Sequence, residues 1–225
     1  MKDINFKIPK GKVTAIVGMS GSGKTTLVKL LLGLYKVNSG EIKIGGLNIN
    51  NIKKSAWRDK CGMVLQDGYI FSDTIASNIA ESDDEIDTDK LLDAAINANI
   101  HDYIASLRMK YDSKIGAEHG ISQGQKQRIL IARAIYKNPA YLFFDEATNA
   151  LDSKNELIIM KNLEKFFSGR TVVVVAHRLS TIKNADQIIV LKQGHLAEVG
   201  THKQLVKNKG EYFNLVKDQL DLENG

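Results

Sequence analysis

The sequence predicts an α/β domain with a mostly parallel sheet, a small antiparallel β part and an inserted helical subdomain. Short, continuous apolar runs at 141–144 and 171–175 are typical of parallel strands that are buried on both faces. A helical pattern over 153–167 separates these runs, and a glycine-rich turn over 18–25 follows a third apolar run at 13–17. This alternation of strands and helices is the pattern of a parallel sheet covered by helices.

The glycine-rich turn carries the pattern G-x-x-x-x-G-K-[ST] from Gly18 to Thr25. Glycines let the backbone curl so that its N–H groups point inward, and the next helix adds the positive end of its dipole. Lys24 is expected to reach the β- and γ-phosphates of a nucleotide, and the Thr25 hydroxyl to bind Mg²⁺. A glycine-rich turn without a ligand is the alternative. The turn therefore predicts a P-loop NTPase core, with ATP contacts at Gly18, Ser20, Gly21, Ser22, Gly23, Lys24, Thr25 and Thr26.

The composition limits the function further. The chain has 225 residues, 43% of them hydrophobic, which suits one sizeable domain with an insertion. Its net charge of +5 suits an anionic ligand, but charges of both signs are interspersed, so no nucleic-acid partner is predicted. Cys61 is the one cysteine, which excludes an internal disulfide and favours a small buried side chain. No apolar run approaches the roughly 18 residues of a membrane span, so a membrane role requires a partner or a further segment.

Local patterns predict the other elements before the insertion. Ile4, Phe6 and Ile8 alternate with polar residues, which indicates a half-buried first strand with these side chains in the core. Short apolar segments on both sides of the Gly45-Gly46 pair predict a β-hairpin. The run at 62–65 predicts a further buried strand.

From about Ile70 to His119 the composition differs from the rest of the chain. The acidic stretch 82–89 predicts a solvated surface loop and not a metal site. Either Asp87 or Thr88 can cap a helix over 89–107, where apolar residues recur at helical spacing. We therefore expect core segments at 1–69 and 125–225 and a helical subdomain at about 70–124.

The C-terminal part returns to strands and helices. A helix is predicted over 125–136, and Pro139 stops it. A terminal hairpin is predicted over 188–199, followed by two polar helices at about 201–208 and 211–220.

Polar residues end three of the predicted strands. Because the carboxyl ends of parallel strands face the phosphate loop, Asp145 can hold Mg²⁺ through its water shell. Glu146 can then orient or deprotonate an attacking water. His177 can contact the γ-phosphate, although a histidine at a strand end is usually only a polar cap. Gln66 can offer its amide oxygen to Mg²⁺ or to the water. The predicted catalytic residues are Lys24, Gln66, Glu146 and His177, and the predicted metal ligands are Thr25, Gln66 and Asp145. The other histidines, His101, His119, His195 and His202, are predicted to lie at the surface.

Together these residues resemble the ATPase domain of ATP-binding-cassette (ABC) transporters. Residues 121–125, ISQGQ, are similar to the signature motif LSGGQ of that family, and they precede the helix before Asp145. Residues 149–152 resemble the D-loop, Gln66 the Q-loop glutamine and His177 the switch histidine. The motifs occur in the family's order, and the resemblance spans essentially the whole chain.

The resemblance implies a mechanism that needs a second ATPase domain. Two such domains would pair head to tail and enclose two ATP molecules, each between one phosphate loop and the other domain's signature. Hydrolysis at Glu146 would remove the γ-phosphate that holds the domains together, and reopening would drive transport. The residues implied to act in trans are Ser122, Gln123, Gly124, Gln125 and Asp152.

Within the family, the details resemble exporters. The segment 67–79 is similar to the exporter segment that contacts the coupling helix of the membrane domain, and 176–181 and 194–202 are also exporter-like. Asn149 and Gln123 resemble bacterial peptide and bacteriocin exporters that carry a protease domain. The resemblance thus implies a transmembrane exporter domain as partner, a peptide as cargo and a place on the cytoplasmic face of a bacterial inner membrane.

The chain also departs from the family pattern. Gln123 stands where glycine is usual, which predicts an altered rate and not a loss of function. The approach to the signature, 116–120, is slightly short, which puts coupling to the membrane domain in doubt more than hydrolysis. Family domains begin with further residues, including an aromatic that stacks on adenine, and Phe6 cannot replace it. We therefore expect an N-terminally incomplete domain with weak nucleotide affinity.

Two other functions compete with the exporter. One is a soluble ABC-type ATPase acting on nucleic acid or ribosomes, but the long coiled-coil insertions or tandem cassettes typical of such proteins are missing from the sequence. The exporter-like segment 67–79 also argues against it. The other is an inactive nucleotide-binding module, which is disfavoured because Lys24, Glu146 and His177 are all present.

Overall fold

The computed structural model describes most of the chain, namely residues 1–65, 68–81, 85–116, 120–145, 151, 153–176 and 179–223. The chain divides into two compact units. The first unit comprises 1–61, 140–145 and 169–225, and the second comprises 62–139 and 146–168. The limits predicted for the helical subdomain, about 70–124, stay a prediction.

The helices and strands of the described residues follow one another along both units. In chain order they are β1 (Val13–Val17), α1 (Lys24–Leu31), β2 (Lys43–Ile44), β3 (Leu47–Asn48), α2 (Lys54–Lys60), β4 (Cys61–Val64), α3 (Ile75–Ala80), α4 (Thr88–Asn97), α5 (His101–Ser106), α6 (Gln123–Lys137), β5 (Tyr141–Asp145), α7 (Ser153–Phe167), β6 (Thr171–Val175), α8 (Leu179–Ile182), β7 (Gln187–Lys192), β8 (His195–Gly200), α9 (His202–Asn208) and α10 (Glu211–Glu223). No helix within the described ranges combines the length and the apolar composition that crossing a membrane requires.

A parallel sheet forms the centre of the first unit. Five strands of this sheet lie in the order β5-β6-β1-β7-β8, and all of them are parallel except β8, which pairs antiparallel with β7. Strands β2 and β3 form a separate antiparallel hairpin, as predicted. The α/β fold class predicted from the sequence is thereby confirmed.

The register places the strand ends that matter for function at one edge of the sheet. Asp145 is aligned with Val175 on β6, and Val175 is aligned with Ile16 on β1. The carboxyl ends of β5, β6 and β1 therefore lie side by side. Asp145 is about 10 Å, or two strand spacings, from the residue that precedes the end of β1.

Apolar side chains of the strands and of α1 form the core of this unit. They comprise Ile16, Leu27, Val28, Leu32, Trp57, Cys61, Phe143, Val173, Val175, Ile189 and Leu191. Cys61 is buried, as predicted. Residues 1–9 form no strand, so the prediction of a first strand is wrong. Its alternation nevertheless identified the inward side chains, because Ile4, Phe6 and Ile8 pack against the core.

The second unit is built around α6, against which α3 and α4 pack. The helix is buried along most of its length because apolar residues cover more than one face. The single helix predicted over 89–107 is two helices, α4 and α5. Asn99 separates them with φ +52°, a left-handed conformation that asparagine tolerates better than most residues. Asp87 is the N-cap of α4, since its side chain accepts a hydrogen bond from the Lys90 N–H at 3.1 Å.

Candidate ATP-binding site

The phosphate loop connects the end of β1 to the start of α1. Its three motif glycines all have positive φ: 154° at Gly18, 76° at Gly21 and 103° at Gly23. Gly23 is the N-cap of α1, and no side chain caps this helix. The first N–H groups of α1 are thus not satisfied by a side-chain cap, and such groups bind anions well.

Two of these glycines have different surroundings. A Cβ atom on Gly18 would overlap the Leu191 carbonyl oxygen and lie 2.6 Å from Ser22 Oγ. A Cβ atom on Gly21 would meet nothing within 4 Å. Gly18 is therefore required by close packing, whereas Gly21 borders open space in which a ligand could lie.

Lys24 lies inside the loop and not on its surface. The residue is only 6% exposed, and its ammonium donates hydrogen bonds to the carbonyl oxygens of Gly18 at 2.9 Å and Met19 at 3.1 Å. A cation held in this way needs anionic or polar partners, because burying a charge without them is costly. This position fits the triphosphate contact predicted for Lys24.

The other loop side chains differ in their exposure. Ser22 is buried, and its Oγ has no hydrogen-bond partner among the described residues. Ser20, Thr25 and Thr26 are exposed. Thr25 follows Lys24 directly, in the first turn of α1.

Asp145 is buried at the end of β5, on the sheet edge that carries the phosphate loop. A carboxylate and a threonine hydroxyl are oxygen donors of the kind that Mg²⁺ prefers, often through water. The donor set that the first unit provides therefore fits the predicted metal.

Four predicted functional residues lie outside the described residues: Gln66, Glu146, Asp152 and His177. Asn149, which supported the interpretation as a peptide exporter, lies outside them as well. The roles assigned to these residues stay predictions.

The predicted signature lies at the N-terminus of α6, in the second unit. Ser122 is the N-cap, and its Oγ accepts a hydrogen bond from the Gln125 N–H at 3.2 Å. The Gln125 side chain accepts in return from the Ser122 N–H at 2.8 Å, which completes a capping box. The Ser122 residue is exposed, and its hydroxyl still has a proton to donate. The spacing Ser-x-x-Gln could have identified this capping box from the sequence.

Gln123 and Gly124 begin the same helix. Gln123, the departure from the family pattern, is exposed at the first helical position. Glutamine favours a helix over glycine by about 0.5–1 kcal/mol, so the substitution suits the helix that follows. The structure thus gives no steric reason for a loss of function.

Two histidines that were predicted at the surface are half-buried. His101 Nδ1 lies 2.9 Å from the Tyr111 hydroxyl, and His202 Nδ1 lies 2.8 Å from the Tyr212 hydroxyl. A tyrosine ten residues later in the chain thus partners each of them, which the local pattern did not reveal. His195 is exposed, and His119 lies outside the described residues.

A loop of glycines that closes around its own lysine, at the carboxyl edge of a parallel sheet, defines the class of P-loop NTPases. Comparisons with known proteins narrow this class. Residues 1–149 match the sequence model of the family described as "ABC transporter". The chain thus belongs to the ABC transporter family, and it is an ATPase domain of that family.

Relatives of known name agree with this assignment. Over 221 residues the chain is 45% identical to a "Putative multidrug export ATP-binding/permease protein" of Staphylococcus aureus strain NCTC 8325 / PS 47. It is 44% identical to a protein of the same name from the bovine strain RF122 / ET3-1. Each alignment covers 97% of this chain but 38% of the relative, so the chain spans less than half the length of these proteins.

A solved structure shares the fold. A bacterial Atm1-family ABC exporter with ATP bound superposes with a TM-score of 0.88 at 41% sequence identity. The match covers 93% of this chain and 37% of that exporter chain.

Proposed function

We propose that the chain binds and hydrolyses ATP to power the export of a substrate across a membrane. The observation that carries this proposal is the match over 97% of the chain to export ATP-binding/permease proteins. The chain would supply their ATP-binding function, which the positive φ of the three loop glycines and the buried Lys24 support. The comparisons give no support to the alternative of a soluble ATPase acting on nucleic acid or ribosomes.

The proposed hydrolysis of ATP uses residues of the first unit together with residues whose roles are predicted from the sequence. Lys24 would contact the β- and γ-phosphates, and Thr25, Asp145 and Gln66 would hold Mg²⁺. The metal ion would neutralise charge on the phosphates. Glu146 would orient or deprotonate the attacking water, and His177 would contact the γ-phosphate.

A second ATPase domain would complete each site. The exposed Ser122 hydroxyl and the N-terminus of α6 form an anion-binding end that a neighbouring copy could meet. The γ-phosphate would join the two copies, and its removal would separate them. A homodimer and a heterodimer are both compatible with this arrangement.

The further partner would be a transmembrane domain on the cytoplasmic side of a bacterial inner membrane. The relatives are named permeases as well as ATP-binding proteins, and this chain spans only 38% of them. Their names also favour small drug-like molecules as the exported cargo. The predicted peptide cargo and protease domain find no support in these comparisons.

Replacement of Glu146 by glutamine tests the proposal. Glu146→Gln keeps the shape of the side chain but removes the base, so ATP turnover should fall by about 100-fold or more. The variant should also accumulate as an ATP-bound dimer, measured by analytical ultracentrifugation with and without Mg·ATP. Glu164→Gln, at an exposed position of α7, is the matched control and should behave as the wild type. Wild-type turnover without a dimer would remove Glu146 from its role.

A further inference from the structure

Arg133 on α6 makes an unusual set of contacts within the second unit. Its side chain is 11% exposed. The guanidinium donates from Nε to the Asn78 carbonyl oxygen at 2.7 Å, from Nη2 to Asn78 Oδ1 at 3.2 Å and from Nη1 to the Tyr69 carbonyl oxygen at 3.0 Å. Two of these three hydrogen bonds go to backbone carbonyl oxygens, so Arg133 restrains the backbone at Tyr69 and Asn78.

Asn78 extends this hold to the segment that precedes α3. The residue is completely buried. Its Oδ1 accepts a hydrogen bond from the Phe71 N–H at 2.8 Å, and its Nδ2 donates to the carbonyl oxygens of Phe71 at 3.0 Å and Thr74 at 2.9 Å. The Asn78 amide therefore bonds the segment 69–74 at several points, and Arg133 donates a hydrogen bond to the oxygen of that amide.

The segment presents two aromatic side chains, which we call the aromatic pair: Tyr69 and Phe71. They are 67% and 46% exposed and pack edge to face with ring centroids 5.3 Å apart. The guanidinium carbon of Arg133 lies 5.3 Å from the Phe71 ring centroid, within cation–π distance. Arg133 thus contacts the Phe71 ring of the pair and also bonds the backbone of the segment that carries it.

The same helix carries the signature. Ser122 caps α6, and Arg133 lies eleven residues further along it, which corresponds to roughly 16 Å in an α-helix. Helix α6 is continuous over Gln123–Lys137 and buried against its neighbours. A displacement of its signature end would therefore reach Arg133 through one continuous helix.

Burying an arginine costs free energy, because its charge loses its hydration. Burial lowers the pKa of Arg133, which Glu81 opposes from 3.8 Å. An apolar side chain would pack in such a place without the desolvation cost of a charge. What arginine alone provides is a planar fork that bonds several acceptors in fixed directions while stacking on a ring, and lysine cannot reproduce it.

We propose that Arg133 is a positioning residue that couples the signature end of α6 to the aromatic pair. When nucleotide held by a second copy binds at Ser122, the hold of Arg133 and Asn78 on the segment 69–74 tightens, and this added order prepares the aromatic pair for its membrane-domain partner. This inference rests on the proposed function, because it requires ATP to bring two copies together. It adds residues that neither touch the nucleotide nor belong to the predicted site.

Amide hydrogen exchange on the 225-residue chain tests the coupling. In the Glu146→Gln background, dimer formation with Mg·ATP should slow exchange at Phe71 and its neighbours by about tenfold, a modest value for coupled sites. Arg133→Lys in the same background should still form the dimer but should lose most of this slowing. Sedimentation reports the dimer, and the exchange of peptides over 69–74 reports the coupling.

Arg128→Lys is the matched control. Arg128 lies on the same helix and also binds a backbone carbonyl, that of Asn99 at 2.6 Å, but it does not hold the segment 69–74. The Arg128→Lys variant should lose about as much thermal stability as Arg133→Lys. It should keep the ATP-dependent slowing of amide exchange over 69–74. Should Arg133→Lys fail to fold, Phe71→Leu replaces it, since this exposed position tolerates leucine and the change removes the ring beneath the guanidinium. It should reduce the slowing.

The outcomes separate the inference from the proposed function. If ATP produces no dimer in the Glu146→Gln chain, the proposed function fails and the inference fails with it. If the dimer forms and exchange over 69–74 does not change in the parent chain, only the inference is overturned. An equal slowing in the parent and in Arg133→Lys, or in Phe71→Leu if that variant is used, would also overturn it, because a purely structural arginine would give that result.

Discussion

Gly18 and Gly21 show that two glycines of one motif can be needed for different reasons. Gly18 has the Leu191 carbonyl oxygen where a side chain would begin, so packing of the folded chain forbids any larger residue. Gly21 has open space, and only its φ of 76° disfavours another residue. The first glycine is therefore required by packing, and the second borders open space.

This difference predicts losses of stability of different size for the two alanine variants. Gly18→Ala should lower the free energy of unfolding by about 3 kcal/mol or more, because a Cβ would overlap a backbone oxygen that cannot move freely. Gly21→Ala should lower it by only about 1 kcal/mol, the cost of a left-handed alanine, while weakening ATP binding. Urea unfolding and a nucleotide titration of both variants measure these effects. Equal loss of stability in the two would show that the packing around Gly18 is not what requires glycine.

Among the elements, the C-terminal helices depend on one buried tyrosine. Tyr212 of α10 is completely buried, and its hydroxyl pairs with His202 of α9. Its N–H donates to Glu198 Oε2 of β8 at 2.8 Å. One residue thereby joins two helices and a strand, and burial raises the pKa of the Tyr212 phenol to about 12.

The raised pKa predicts a loss of stability at alkaline pH. Because the pKa in the folded chain lies above the value of about 10 in the unfolded chain, the phenol's contribution is complete below pH 10 and is lost as the pH rises toward 12. Tyr212→Phe should be less stable than the wild type by about 1 kcal/mol at pH 8, since it lacks the hydrogen bond. That deficit should shrink above pH 10. Urea unfolding at pH 8, 10 and 11 measures it, with the exposed Tyr35→Phe as control.

A deficit that stays constant across this pH range would contradict the assignment. The loss would then come from packing alone, and the titration of the phenol would not be linked to folding. The control variant should show no difference from the wild type at any of the three values.

The elements also show which features a sequence pattern can predict. The phosphate loop was predictable because its requirements are local. They are glycines where φ is positive and a lysine at the first position of the helix that follows. The first strand was not, because alternation of Ile4, Phe6 and Ile8 sets the direction of side chains but does not supply a hydrogen-bonded neighbour. Alternation alone therefore identified the core face without the strand.

Partners distant in the chain explain the remaining misses. The break between α4 and α5 interrupts a continuous apolar spacing, and at this break Asn99 Nδ2 donates to Asn155 Oδ1 at 2.7 Å across 56 positions. Arg133 and Asn78 are separated by 55 positions. No periodicity connects such residues, so their contacts emerge only from the folded chain. The capping box at Ser122, with partners three residues apart, was within reach of the sequence.

At the scale of the whole molecule, the two halves of the predicted ATP site lie in different compact units. The phosphate loop belongs to the first unit and Ser122 to the second. Under the proposed function, a complete site takes its loop from one copy and its signature from another. Each chain of a dimer would then contribute its phosphate loop to one ATP site and its Ser122 to the other.

Two variants each disable one half of such a site. Lys24→Ala removes the cation that contacts the phosphates. Ser122→Asp keeps a good N-cap for α6, because aspartate caps helices as well as serine does, but it places a negative charge against the γ-phosphate. Neither variant alone should release phosphate from ATP, since every site in either homodimer is defective.

Mixing the two variants should restore part of the activity. In a heterodimer, one site combines the intact Lys24 of the Ser122→Asp chain with the intact Ser122 of the Lys24→Ala chain. The other site contains both substitutions and is inactive. With random pairing, half of the dimers carry one working site of two, so phosphate release should reach about a quarter of the wild-type rate. A mixture as inactive as its components, although both variants fold and associate, would mean that each chain builds its ATP site alone. The γ-phosphate would then not join two copies, and its hydrolysis could not separate them.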